Sequence, residues 1–301
     1  MKRILVICGA TATGKTSLAV DCAKALNSEV ISADSQLVYR GLNVGTAKPT
    51  IAEMKGVNHH LIDIVGAEQN FSVSDYEERA LPIIERLLVE GKTPVVCGGT
   101  GFYINSILYN LGYGNVEANA EVRARYETVL AERGKEYVYG LLKEVDPESA
   151  DKLHVNDTKR VIRALEIFEV SGKKKSEQND ELKPRYDFLA VAIDYPRSEL
   201  YSRIDSRVDC MFNSGLIEEV KRLKSVGIDE NCQSMQAIGY KEVLEGLKNG
   251  LNESTMRDII KKNTRHYAKR QYTFFKKLNG IVWLKPEEAM SGKVLELLNE
   301  R

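Results

Sequence analysis

The run Gly9-Ala10-Thr11-Ala12-Thr13-Gly14-Lys15-Thr16 follows an apolar stretch, Ile4-Leu5-Val6-Ile7-Cys8, and precedes a helical pattern from Ser17 to Leu26. Strand, G-x-x-x-x-G-K-T, helix is the context that makes a phosphate-binding loop credible. The glycines let the backbone wrap closely around a phosphate with its N–H groups pointing inward. Lys15 adds a point charge, and the Thr16 hydroxyl is placed to ligate Mg²⁺. The helix N-terminus adds a partial positive charge. The alternative is an ordinary Gly-rich turn. The motif specifies a polyphosphate; it does not specify a nucleotide.

Working outward, Glu29-Val30-Ile31-Ser32-Ala33 has the pattern of a short buried strand that ends at Asp34-Ser35-Gln36-Leu37-Val38-Tyr39-Arg40. Residues just past the carboxyl end of a parallel strand face the ligand crevice, so Asp34 belongs near the phosphate loop. Its plainer roles would be a Mg²⁺-serving aspartate or a helix N-cap. Gly41 to Pro49 is loop-like. His59-His60 are adjacent and point in different directions, which suits structural histidines better than metal ligands. Ser74 to Glu90 is amphipathic at helical spacing, with Ser74 and Glu77 fitting a capping box and Pro82 expected to kink the helix. A further buried strand, Thr93–Cys97, runs into Gly98-Gly99-Thr100-Gly101, a second Gly-rich turn.

From Gly114 to Lys183 charged helical patterns replace strands, at Ala120–Arg133, Lys135–Val145 and Asp157–Ser171. In the last, Lys159 and Arg163 share a face. Gly172 to Lys183 reads as a mobile basic loop. The core resumes at Phe188–Ile193. The next helix carries Arg203 and Arg207 at i, i+4, a pair suited to gripping a phosphate or to surface pairing with Asp205 or Glu199. Arg257 to Lys277 forms one long basic helix interleaved with aromatics, a plausible nucleic-acid footprint. Ile281–Leu284 and Glu287–Asn299 have the patterns of a last strand and helix. The expected fold is α/β: a P-loop NTPase-like parallel sheet flanked by helices (1–113 and 184–301) with a helical insertion domain (114–183).

Composition narrows the class. The chain has 301 residues, 43% hydrophobic and 29% charged, as in a soluble globular protein. Basic and acidic residues balance at 43 each, so any nucleic-acid footprint must be local. Five scattered cysteines without C-x-x-C spacing argue for a reducing compartment and against a disulfide or zinc framework. The first apolar run ends in the phosphate loop instead of a small-residue cleavage site, and no run reaches membrane-span length. A cytoplasmic location without membrane contact is expected.

Taken together, these blocks closely resemble bacterial tRNA dimethylallyltransferases, also called tRNA isopentenyltransferases, essentially end to end. The markers are Gly9–Thr16, Asp34-Ser35 with Val38-Tyr39, Gly45–Pro49, His59–Asp63 and Gly98–Gly101. They continue with Asn156-Asp157 through Arg163–Glu166, then Gln236–Glu242 and Tyr267–Gln271. Three positions depart from the family pattern: Ala10 stands where Pro is usual, Leu37 where Gln is frequent, and Asn58 where Pro precedes the histidines.

The resemblance implies that Gly9, Ala10, Thr11, Ala12, Thr13, Gly14, Lys15 and Thr16, with Arg203 and Arg207, grip the diphosphate of dimethylallyl diphosphate rather than ATP. It implies the N6 amine of the adenine just 3′ of a tRNA anticodon as acceptor. Asp34 is then the candidate general base, with Lys15, Thr16 (the Mg²⁺ ligand) and Arg207 stabilising the leaving diphosphate. Implied contacts to the tRNA anticodon stem-loop are Asp34, Ser35, Gln36, Leu37, Thr100, Arg123 and Thr158, Lys159, Arg160, Val161 and Ile162. Arg265 and Lys269 are the candidates on the basic helix. A monomer is expected. The competing readings are a P-loop small-molecule kinase, a prenyltransferase acting on free adenine nucleotides, and an RNA-binding protein with a dead site.

Overall fold

The structure, a computed structural model, describes residues 3–110, 119–177 and 183–300. In chain order the elements are β1 (Arg3–Cys8), α1 (Lys15–Ala25), β2 (Val30–Ser32), α2 (Ile51–Met54), β3 (His59–His60), α3 (Val73–Val89), β4 (Val95–Gly98) and α4 (Gly101–Leu108). They continue with α5 (Ala120–Val145), α6 (Pro147–Lys152), α7 (Thr158–Ser171), β5 (Asp187–Ile193), α8 (Arg197–Asn213), α9 (Leu216–Ser225), α10 (Tyr240–Lys248), α11 (Glu253–Phe275), β6 (Val282–Leu284) and α12 (Ser291–Glu300). The chain divides into two compact units, Met1–Leu108 with Pro184–Arg301, and Tyr109–Lys183. The boundary expected at Gly114 and part of the basic segment before Lys183 lie outside the described residues.

In the first unit six strands form one parallel sheet in the order β3-β2-β4-β1-β5-β6. Parallel strands need both faces covered, so β1 reads as continuous apolar sequence rather than alternation. Its Leu5 and Ile7 pack with Leu18, Cys22 and Ala23 of α1 and with Val294 and Leu298 of α12. Between α3 and α4, Tyr76 stacks on Tyr103 with ring centroids 4.0 Å apart. Helix α3 begins earlier than its sequence suggests: Ser72, not Ser74, caps it, in a reciprocal box with Asp75. The helix continues through Pro82. The paired histidines are structural, as expected. His60 Nε2 lies 2.5 Å from Glu29 and His59 Nδ1 2.9 Å from the Val57 carbonyl.

The loop from Gly41 to Pro49 is held by one carboxylate. Glu219, in the first turn of α9, accepts the N–H groups of Asn43 (3.1 Å), Val44 (2.9 Å) and Gly45 (3.2 Å). The Tyr240 hydroxyl donates to it at 2.5 Å and accepts from Gly45 N–H at 3.1 Å. A Cβ at Gly45 would lie 2.4 Å from the Tyr240 ring, so only glycine fits there.

The second unit is helical. Gly134, with φ 81° and ψ 170°, divides α5 where the sequence pattern broke. Its core gathers Val138, Leu142, Ala150, Val161, Ile162 and Leu165. Buried Asp146 ends α5 and caps α6, accepting the N–H groups of Ser149 (3.1 Å) and Ser176 (3.0 Å). Burial opposes its ionisation, but these hydrogen bonds outweigh burial and pull its pKa down to about 2. Among the described residues, no helix is long and apolar enough to cross a membrane.

Two measurements check these anchors. Glu219→Ala strands several N–H groups, each worth about 1 kcal/mol or more. Its thermal midpoint should fall by several degrees while Tyr240→Phe loses less; an unchanged midpoint would show that the loop does not depend on the carboxylate. Asp146 is depressed in the folded state, so its stabilisation is complete above the unfolded value of about 3.9 and is lost as pH falls through about 2. Asp146→Asn should therefore destabilise the protein at neutral pH and flatten its stability profile between about pH 4 and 2. Parallel wild-type and variant profiles would contradict this.

Candidate active site

Three loops meet at the carboxyl edge of the sheet. The phosphate loop follows β1, Asp34-Ser35-Gln36 follows β2, and Gly99-Thr100 follows β4, which lies between β1 and β2. Open α/β sheets bind ligands at this edge. Thr100 links two of the loops: its N–H donates to the Ala33 carbonyl at 3.1 Å, and its Oγ1 accepts Ser35 N–H at 3.0 Å. Gln271 of α11 links the other pair. Its Oε1 accepts Thr11 N–H at 2.9 Å and its Nε2 donates to the Gly99 carbonyl at 2.9 Å. A Cβ on Gly99 would lie 2.2 Å from that nitrogen.

Within the phosphate loop, the Thr13 hydroxyl donates to the Ala10 carbonyl at 2.9 Å, and Lys15 Nζ donates to the same oxygen. Buried Ala10 packs on Ile204 and Ala268, so the residue standing at the family's usual proline still fills a close contact. Arg203 donates to the Ala12 carbonyl at 2.8 Å and stacks over Tyr195 at 4.6 Å. It braces the loop from outside. Arg207 donates to the Thr46 carbonyl at 3.2 Å and points into two cavities of about 340 Å³ each.

The first cavity is walled by the loop from Ala12 to Ser17 and by Glu53 and Lys55. The second is walled by Thr11, Asp34, Ser35 and Gln36 on its polar side, and by Met211, Ile238, Ile260 and Tyr267 on the other. Arg207 belongs to both. Burial pushes the Lys15 ammonium below its ordinary range, with Arg207 pushing the same way and Asp34 opposing. Burial likewise lowers Arg207, again opposed by Asp34 and by Glu53. Two partly buried cations crowded in this way favour an anionic ligand that neutralises them.

In the second cavity Asp34 uses Oδ1 to accept Gln36 N–H at 2.8 Å. Gln36 Oε1 is buried and has no partner among the described residues. The Tyr267 hydroxyl is within hydrogen-bonding reach of Thr100 and Gln271, and burial raises its pKa. An acidic carboxylate and an orphaned carbonyl oxygen on one wall suit a ligand that donates hydrogen bonds, such as an amine. Thr16, at the start of α1, faces the first cavity, and its hydroxyl makes no bond among the described residues. Among the described residues, no cluster of three or more His, Cys, Asp or Glu could hold a metal. A single hydroxyl beside a phosphate cradle fits Mg²⁺, which binds through one or two protein oxygens together with phosphate and water.

The structure brings Gly9–Thr16, Asp34, Ser35, Gln36, Thr100 and Arg207 to one edge and shows which partners others already have. Leu37 is half-buried and contributes its carbonyl to Asp63 N–H. Arg265 does not present a free guanidinium: it forms a forked pair with Asp205. Lys269 is exposed. In the helical unit Val161 and Ile162 are buried in its core, and Arg123 pairs at 2.8 Å with the buried Glu166. Their side chains therefore serve packing first. Thr158, at the start of α7, is half-buried, Lys159 is exposed, and Arg160 pairs with Asp157 at 3.3 Å. Sequence reasoning missed Gln271 and Tyr267 as site residues. Their i, i+4 spacing on one helix was the available signal.

Comparison with known proteins places this geometry. Residues 37–278 match the family model described as IPP transferase. The chain is 43% identical to the tRNA dimethylallyltransferase of Acetivibrio thermocellus over 96% of this chain and 93% of that one. It is 45% identical to that of Alkaliphilus oremlandii over 94% and 91%. Among solved structures, it is similar to the full-length tRNA isopentenylpyrophosphate transferase of Bacillus halodurans, with 38% identity, TM-score 0.74, and 100% and 95% of the two chains covered. A eukaryotic dimethylallyltransferase acting on tRNA aligns with TM-score 0.87 at 28% identity, covering 100% of this chain and 79% of that one. These matches do not favour the kinase reading. A family model that spans most of the chain, and relatives above 40% identity along nearly its whole length, show that the chain belongs to the IPP transferase family.

Proposed function

We propose that this protein transfers a dimethylallyl group from dimethylallyl diphosphate to the N6 amine of the adenine 3′-adjacent to the anticodon in tRNA, releasing diphosphate. The observation that carries it is the joining of two cavities through Arg207. One is cationic and cradle-shaped; the other holds Asp34 and a buried, unsatisfied Gln36 oxygen. An amine acceptor explains the second wall, where the Asp34 carboxylate and the Gln36 carbonyl oxygen both face a group that donates hydrogen bonds.

The diphosphate lies against the loop N–H groups, Lys15 and Arg207, where charge building on the leaving group meets fixed donors. Thr16 would hold a Mg²⁺ ion, which would supply further charge neutralisation. An adenine amine is a weak nucleophile because its lone pair is delocalised into the ring. Asp34 accepts a hydrogen bond from it and takes its proton as the new C–N bond forms. Gln36 Oε1 is placed to accept from the same base. The adenine must leave its loop stack to reach Asp34, which costs a few kcal/mol.

Incubation with unmodified tRNA, Mg²⁺ and dimethylallyl diphosphate, followed by nucleoside mass spectrometry, tests this. The expected product is an adenosine heavier by one dimethylallyl group next to the anticodon; ATP turnover on a small acceptor instead would overturn it. Asp34→Ala should lower kcat by about 10²–10⁴ with tRNA affinity largely kept. Equal turnover removes Asp34 as base. Gln271→Ala releases both the phosphate loop and the Gly99 turn, so KM for the diphosphate should rise more than Kd for tRNA. The reverse ranking would show that Gln271 serves the RNA side instead.

A further inference from the structure

Outside both cavities, two phenylalanines from different helices meet at the surface. Phe102, at the start of α4, is 58% exposed, and its ring lies 5.5 Å from that of Phe274 on α11, edge-on at 61°. Phe274 is fixed from beneath. It packs edge-on against buried Phe275 at 5.6 Å, and its ring sits close enough to Gly101 that a Cβ there would come within 2.2 Å. The pair is packed on its inner side and open on its outer one.

Single exposed hydrophobic residues need no explanation; the placement of this pair does. Tyr267, Arg270 and Phe274 fall at i, i+3 and i+7 on α11, one stripe of the helix. Tyr267 lines the Asp34 cavity. Phe274 lies about 10 Å further along the same stripe at 1.5 Å per residue. Phe102 follows Thr100, whose hydroxyl binds the Asp34 turn, by two residues. The flanking charges are uncommitted. Arg270 and Lys277 are exposed and form no ion pair among the described residues, whereas Arg257, Lys261 and Arg265 are each paired with acids. An exposed aromatic surface beside unneutralised cations, at the rim of a base-accepting cavity, has the chemistry of single-stranded RNA binding.

Resting on the tRNA reading above, we propose that Phe102 and Phe274 form a stacking platform for an unpaired nucleobase of the tRNA loop, within a few nucleotides of the target adenine, with Arg270 and Lys277 on the adjoining phosphates. Ten ångströms is about three stacked nucleotides, fewer in an extended strand. Holding a neighbour on the platform keeps the loop open while the target base occupies the cavity.

The test compares wild type with Phe102→Ala, Phe274→Leu and Phe274→Trp in tRNA binding at several salt concentrations, prenyl transfer, and thermal midpoint. Phe102→Ala and Phe274→Leu should each weaken tRNA binding about tenfold, while Phe274→Trp keeps it. The salt slope should not change, since no charge is removed, and KM for dimethylallyl diphosphate should stay within twofold. Phe102→Ala should leave the midpoint unchanged. Binding to a fully paired RNA duplex should be insensitive to all three. Unaltered tRNA affinity in the variants, or equal losses on duplex RNA, overturns the platform. If wild type prenylates tRNA and the variants bind it normally, only the platform fails, and the surface belongs to another partner such as a protein. If wild type neither binds nor prenylates tRNA, both proposals fall.

Discussion

The site depends on an amide that faces two ways. Gln271 accepts from the phosphate loop at Thr11 and donates to the Gly99 carbonyl. Both backbone groups lie under α11, and leaving either unpaired would cost about 1–3 kcal/mol. A glutamate would offer Gly99 no donor, and a lysine would offer Thr11 no acceptor. The amide also fixes where α11 runs. One turn earlier, Tyr267 and Ala268 reach the Asp34 cavity and the Ala10 contact. One side chain thus sets the separation of two loops and the position of the wall above them.

Charge divides the site along Arg207. Lys15 and Arg207 are both lowered by burial, and each is partly sustained by Asp34. In the proposed reaction, negative charge accumulates on the side of the cations while the proton leaves toward Asp34 on the other. The two changes compensate each other: the leaving diphosphate neutralises the cations as the carboxylate, by taking the proton, gives up its own charge. Glu219 reaches the same balance indirectly. By gathering the N–H groups of the Gly41–Pro49 loop, it presents the Thr46 carbonyl to which Arg207 donates.

The phosphate loop was legible in the sequence because its chemistry is local: eight consecutive residues and the elements on either side. The parallel sheet was legible because buried strands are continuous apolar runs. The α3 cap was not, for a tertiary reason. Ser72-x-x-Asp75 and Ser74-x-x-Glu77 both satisfy the local rule, and Gln233 chooses between them. Its amide binds the N–H and carbonyl of Phe71, both at 3.0 Å, so the chain is pinned just before Ser72 and the helix starts there. The acids that pair with Arg123 and Arg265 were hidden for the same reason. Glu166 and Asp205 are 43 and 60 residues away. Spacing reveals which charges share a helix face, not which are neutralised across the fold.

That neutralisation explains how a chain of zero net charge can serve a polyanion. Helix α8 carries Arg203 and Arg207 on the face toward the phosphate loop, and Asp205 and Asp209 toward α11. Arg265 pairs with Asp205; Arg257 and Lys261 pair with Asp209. Isolated surface pairs contribute little to stability, but these are partly buried, share acids and clamp one helix to another. The cations they remove from the RNA-facing inventory are therefore the ones that hold Arg207 in its cavity. Lys262 and Lys269 on the outer side of α11, and Arg270 beside Tyr267, are left exposed. The basic helix is thus two devices on one backbone: an inner row that fixes the catalytic wall and an outer row free for phosphate.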